Sequence, residues 1–139
     1  MTDNSAAESI FGPVIYSYSR AQAIADGVLV DVSDTAQEAG FVFPVAVTDT
    51  VWADCIAWSQ RDNVEKRCYQ DEPGRLWDVL HMARLAIEQA SHGQVLEYEL
   101  YRVPRAEQAR RPEPVKLKLV CGPGDDGEAV ITIMFPHED

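Results

Sequence analysis

The chain has 139 residues, 46% of them apolar, and carries 23 carboxylates against 12 Lys and Arg, a formal net charge of -11. That length suits one domain around a single core, and the charge argues against direct binding of nucleic acid, since polyanions are held by releasing counterions to Lys and Arg. No apolar run approaches a membrane span, and the first twenty residues have neither a basic n-region nor a continuous hydrophobic stretch, so a soluble, cytoplasmic protein without membrane contact is expected.

In chain order, residues 1–10 are small, polar and aperiodic and read as a flexible tail, leaving residues 11–139 as one domain. Val14–Tyr18 is β-branched and aromatic, the mark of a short strand. Ser19 suits the N-cap of a short helix over Arg20–Asp26, with Gly27 as the left-handed residue that ends it. Val28–Val32 reads as a second strand, and Ser33 or Asp34 as the cap of another short helix that ends at Gly40. In Phe41–Val47 (FVFPVAV) Pro44 cannot donate to a central ladder, so an edge strand or an extended loop is expected.

Thr48 caps a helix over about Asp49–Gln60, in which Val51, Trp52, Cys55, Ile56 and Ser59 recur at helical spacing and Trp52 and Cys55 belong to the core. Residues 61–70 (RDNVEKRCYQ) are charged and aperiodic, a surface loop or a frayed extension of that helix. Asp71-Glu72-Pro73 is a strong helix start, an acidic cap followed by a proline whose missing N–H costs nothing there. Leu76, Leu80, Ala83 and Ile87 then line one face of a long helix to about Ser91, flanked by Trp77 and Val79 and terminated by Gly93.

The last third changes to a period of two residues, which marks a sheet. VLEYELYRV places Leu96, Tyr98 and Leu100 on one face and Glu97, Glu99 and Tyr101 on the other. VKLKLVC places Val115, Leu117, Leu119 and Cys121 opposite Lys116 and Lys118, so that in an antiparallel pair the glutamates face the lysines. A third strand, Ala129–Phe135, joins through GPGDDGE. The predicted fold class is α+β: a C-terminal antiparallel three-stranded meander packed on the long helix, with N-terminal short strands and helices that extend the sheet or form a second layer.

Candidate chemistry is sparse. Cys121-Gly-Pro-Gly-Asp-Asp-Gly lacks the lysine and following helix of a phosphate loop and reads as a hairpin turn. Asp125, Asp126 and Glu128 lack the spaced ligands of a calcium loop. His81 lies mid-helix beside Trp77 without a zinc-pairing partner, and His92 at the helix C-terminus is explained by the dipole. Cys55, Cys68 and Cys121 match neither a disulfide framework nor a zinc site and read as reduced thiols. No catalytic, cofactor-binding or metal-binding residue is predicted, and no cofactor.

The charge is unevenly placed. Residues 1–60 hold eight acids against Arg20 alone, whereas residues 102–118 hold six bases against Glu107 and Glu113. Asp26, Asp31, Asp34, Glu38, Asp49 and Asp54 are the candidate partner-binding residues, an acidic surface that would be steered onto a basic surface of a host protein or nucleoprotein complex.

Two resemblances bear on function. SRAQAIADGVL resembles the opening of small ADP-ribosyltransferase-like and RNA 2'-phosphotransferase-like enzymes at Arg20, Ile24 and Gly27-Val28-Leu29, which implies a small enzyme using Arg20 with Tyr16 or Tyr18. IYSYSRAQAIADGVLVDVSDTAQEAGFVFPVAVT, GRLWDVLHMARLA and LKLVCGPGDDGEAVITIM together resemble an uncharacterised family of short acidic bacterial proteins carried on plasmids and integrative elements, over Phe11 to Phe135. That resemblance implies the setting of a mobile genetic element, where small anti-restriction and anti-CRISPR inhibitors occur, some of them acidic mimics of nucleic acid. The leading expectation is a non-enzymatic binding protein of that counter-defence kind. The alternatives are the ADP-ribosyltransferase-like enzyme and a structural or self-assembling accessory protein, and homo-oligomerisation stays open.

Overall fold

The computed structural model of the chain describes residues 18–90, 93–106 and 108–139. The tail over residues 1–10 and the strand read over Val14–Tyr18 lie outside them, except Tyr18, which is not in a strand; His92 also lies outside. Helix α1 spans Arg20–Ala25, β1 Leu29–Asp31, α2 Ser33–Glu38 and β2 Val45–Thr48. Helix α3 is a single turn, Asp49–Val51, that continues as a π turn over Trp52–Ile56. Helices α4 (Gln60–Lys66) and α5 (Glu72–Gln89) follow, then β3 (Val95–Arg102), β4 (Glu113–Pro123) and β5 (Ala129–Met134).

The strands make one sheet in the order β1-β2-β5-β4-β3, antiparallel throughout except for the parallel pair β2 and β5. The C-terminal meander is therefore the predicted one, and the N-terminal strands extend it. The glutamates of β3 fall directly opposite the lysines of β4, Glu97 across from Lys118 and Glu99 across from Lys116. On the other face of those strands Tyr98, Leu100, Leu117 and Leu119 are buried with Leu76, Val79, Leu80 and Ala83 of α5, joined by Val45, Val47, Ile131 and Ile133 from the sheet centre. Alternation puts Ala46 and Thr132 on the opposite face, and α1 covers them there, with Ala23 buried and Arg20 bonded to Thr132.

Three expectations for local structure are corrected. The run around Pro44 is no edge strand: β2 lies between β1 and β5 and all four of its residues are buried. Proline lacks only the N–H, so the strand begins one residue later while the Pro44 carbonyl still accepts from the Ile131 N–H at 2.9 Å. Ser33 does not cap α2 but is its first residue; its hydroxyl instead accepts from the Val45 N–H at 3.1 Å and so ties the helix start to β2.

The helix expected over Asp49–Gln60 also breaks. Thr48 caps it as predicted, but the Ala57 N–H donates to the Trp52 carbonyl at 2.8 Å, closing a π turn, and Ala57 is already extended. The carbonyls of Asp54 and Ile56 are released by that ending, and both accept from the buried Arg75 guanidinium, at 3.0 and 3.1 Å. Arg75 also donates to the Val103 carbonyl and lies 4.4 Å over the Trp58 ring. Residues 61–70, expected as loop, contain a separate helix because Ser59 and Asp62 form a capping box. Helix α5 starts at the Asp71 cap as predicted and ends at Gln89, where Ala90 is extended, ahead of Gly93.

Candidate functional site

The six candidate carboxylates separate into two groups. Asp26, Asp31, Asp34, Glu38 and Asp49 are exposed and belong to α1, β1, α2 and the start of α3, the elements at and around the β1 edge. Asp26 follows α1, and its carboxylate accepts from the Tyr18 hydroxyl at 2.6 Å and the Gln22 amide at 2.8 Å, which holds its pKa below the usual carboxylate value. Asp49 lies beside it along the chain path, because its N–H donates to the Val28 carbonyl at 3.0 Å. Asp31 ends β1 and accepts from the Ser33 hydroxyl at 2.6 Å. Asp34 and Glu38 are one helical turn apart on α2 and so share a face of it.

None of these five forms an ion pair with a base among the described residues. Their hydrogen bonds come from neutral groups, which leaves the negative charge in place and fixes its direction.

Asp54 belongs elsewhere. It sits in the π turn, and its carboxylate accepts from Arg102 Nη2 at 2.8 Å and Nε at 3.3 Å. Arg102 ends β3, the opposite edge strand, four strand spacings or roughly 19 Å from β1. Asp54 is thus neutralised by a neighbouring base and separated from the group in which the sequence placed it. The bases of residues 102–118 are drawn to that same side: Arg105 pairs with Asp62 at 3.0 Å and Lys116 with Glu97 at 4.0 Å.

Sequence reasoning missed how Arg20 is used. Its Nη1 donates to the Thr132 hydroxyl at 2.7 Å and its Nη2 to the Ile131 carbonyl at 2.8 Å, while the Asp125 carboxylate accepts from the backbone N–H groups of Arg20 and Ala21 at 2.8 and 3.0 Å. The turn after β4 therefore supplies a second cap for α1, beside Ser19, and these N–H bonds hold the Asp125 pKa low. The two aspartates read as a mere turn signal were half right: Asp125 shapes nothing in its own hairpin and instead joins it to α1. No local pattern could have shown this, since the partners are more than a hundred residues apart.

A second missed feature is Glu138. It accepts from the Thr48 and Thr50 hydroxyls at 3.0 and 2.9 Å and from the Phe135 N–H at 2.8 Å, which fastens the end of the chain beside Asp49. Elsewhere His81 stacks on Trp77 with centroids 6.2 Å apart, as its place on α5 suggested, and Cys55 is a buried free thiol pushed up to about 12, first by burial and then by Asp54. No helix among the described residues is long and apolar enough to cross a membrane.

Fold and site together define an α+β protein whose mixed sheet carries unpaired carboxylates at one edge. The chain belongs to DUF6573, a family of unknown function, whose pattern it matches over residues 8–139. No curated protein and no solved structure matches it.

Proposed function

We propose that this chain is a non-enzymatic binding protein that lays its β1 edge on a basic surface of a partner. The observation that carries the reading is the set Asp26, Asp31, Asp34, Glu38 and Asp49, exposed around one sheet edge with no ion-paired base among the described residues. Such a surface gains association rate by steering toward Lys and Arg. A Lys/Arg-lined channel that otherwise holds nucleic acid has the matching chemistry, and the counter-defence role of an anti-restriction or anti-CRISPR inhibitor from a mobile genetic element is the specific form of the proposal. Asp54 is left out of the interface because Arg102 already engages it.

The test is capture of partners from a bacterial lysate on the immobilised protein, at low and at high salt, with the triple variant D31K/D34K/E38K alongside. An electrostatic contact weakens steeply as screening rises, and the reversal abolishes it while the far-ultraviolet circular dichroism stays unchanged. A partner that is retained at high salt, or held equally by the reversed variant, removes the β1 edge from the interface.

A further inference from the structure

A second concavity lies away from the acidic edge, between the loop after α2, the C-terminal half of α5 and the ends of β3, β4 and β5. It has a volume of about 340 Å³ and is lined by Phe41, Phe43, Ile87, Leu96 and Cys121, with Arg84 as the one charged side chain. That volume falls in the range of small-molecule sites, which are mostly apolar with a few placed polar groups.

Arg84 is incompletely satisfied. Its Nε is buried and has no hydrogen-bond partner, a state that folded chains rarely leave standing. Its Nη2 meets one oxygen of Glu88 at 3.1 Å, a single contact to an exposed carboxylate one helical turn away, and such pairs are weak. The side-on edge of a guanidinium, Nε together with one Nη, is the edge that takes a carboxylate through two parallel bonds. Glu88 uses half of that edge.

The cover over Nε is the loop that starts at Gly40. Gly40 has φ +103, and a Cβ there would fall 3.1 Å from Arg84 Nε, so only glycine lets the backbone lie so close. Beyond it Val42 is 86% exposed and Phe43 42% exposed, apolar side chains in water on a loop that also walls the cavity. An occupant that covered them and gave Nε an acceptor would resolve both unfavourable features.

We propose that this cavity binds a small apolar monocarboxylate, its hydrocarbon part against Phe41, Phe43, Ile87 and Leu96 and its carboxylate on the Nε and Nη2 edge of Arg84 in place of Glu88. The apolar lining excludes sugars and nucleotides, and the lone cation selects an acid over the matching alcohol. The site is independent of the acidic edge.

Octanoate and octan-1-ol are the probes, titrated into the full chain by calorimetry and followed by amide chemical shifts of the Gly40–Pro44 loop. Octanoate is expected to saturate, and octanol to bind about tenfold more weakly or worse. Arg84→Gln is expected to bring octanoate down to the affinity of octanol. Glu88→Gln, which removes the competing carboxylate and leaves the cavity lining intact, is expected to tighten octanoate several-fold without changing octanol. The proposal is overturned if octanoate shows no saturable binding, if octanol binds as tightly as octanoate, or if neither substitution changes the preference between them.

Discussion

The two edges of the sheet carry charge in opposite ways. Around β1, at one edge, five carboxylates face water with only neutral hydrogen-bond donors beside them. Around β3, at the other, Arg102, Arg105 and Lys116 are each paired with an acid, and buried Arg75 joins the π turn to the chain after β3. Charge at β3 is part of what holds the molecule together, and charge at β1 is surplus to folding. A protein of net charge -11 therefore concentrates its unneutralised acids where few structural constraints apply to them, which is where a binding surface can be placed at little cost in stability.

The contrast is broken most severely at Arg75. Arg75→Met keeps much of the volume but leaves the carbonyls of Asp54, Ile56 and Val103 without that donor in a buried setting, and should cost about 3 kcal/mol. Urea unfolding read by tryptophan fluorescence checks it, and a loss below half that size would mean the π turn is satisfied without Arg75. Next in size is the Arg102–Asp54 pair at the end of β3. It is partly exposed, so Arg102→Ala should cost about 1 kcal/mol, and Asp54→Ala in the same background should add little because the pair is already lost.

The β1 side has a structural charge of its own in Asp125, and it sharpens the comparison through pH. The N–H groups of Ala21 and Arg20 lower its folded pKa. A depressed carboxylate stabilises the fold above its unfolded pKa, about 3.9 for Asp, and that stabilisation is lost as pH falls through the folded value. Asp125→Asn should flatten this part of the acid limb of the stability curve. Ser19→Ala removes the other α1 cap, whose hydroxyl accepts from the Gln22 N–H at 3.0 Å, and should cost about 1 kcal/mol at any pH.

What the sequence revealed follows the range over which its signals act. The α5 cap, the alternation of β3 and β4 and the Glu–Lys register across them are set by neighbours a few residues or one hairpin apart, and all were legible. The interior position of β2 was not, because Pro44 is a local signal against a central strand and the partner that overrides it, β5, lies more than eighty residues away. The π turn was hidden for the same reason: Val51, Trp52, Cys55 and Ile56 fit an α-helical stripe, and the arginine that accepts the broken ending comes from the next long helix. For the candidate site, composition located the excess of acid in the first sixty residues but could not see that Arg102 folds back onto Asp54. Five of its six members gather around β1, and the sixth is claimed by a residue 48 positions on.

The smallest stability effect is the one that bears most directly on the proposed interface. Asp34 lies in the first turn of α2 and Glu38 in its last, so the helix dipole favours the first charge and disfavours the second. Asp34→Lys alone should destabilise by a few tenths of a kcal/mol and Glu38→Lys alone should stabilise by a similar amount. The double variant should then unfold within about 0.5 kcal/mol of the parent. Opposite signs in the singles with cancellation in the double would show that these carboxylates act on the fold only through the dipole. Any loss of partner capture in the double variant would then have to arise at the surface. A double variant that loses well over 1 kcal/mol would instead place Asp34 or Glu38 in the same structural category as Asp54, and the distinction between the two edges would fail.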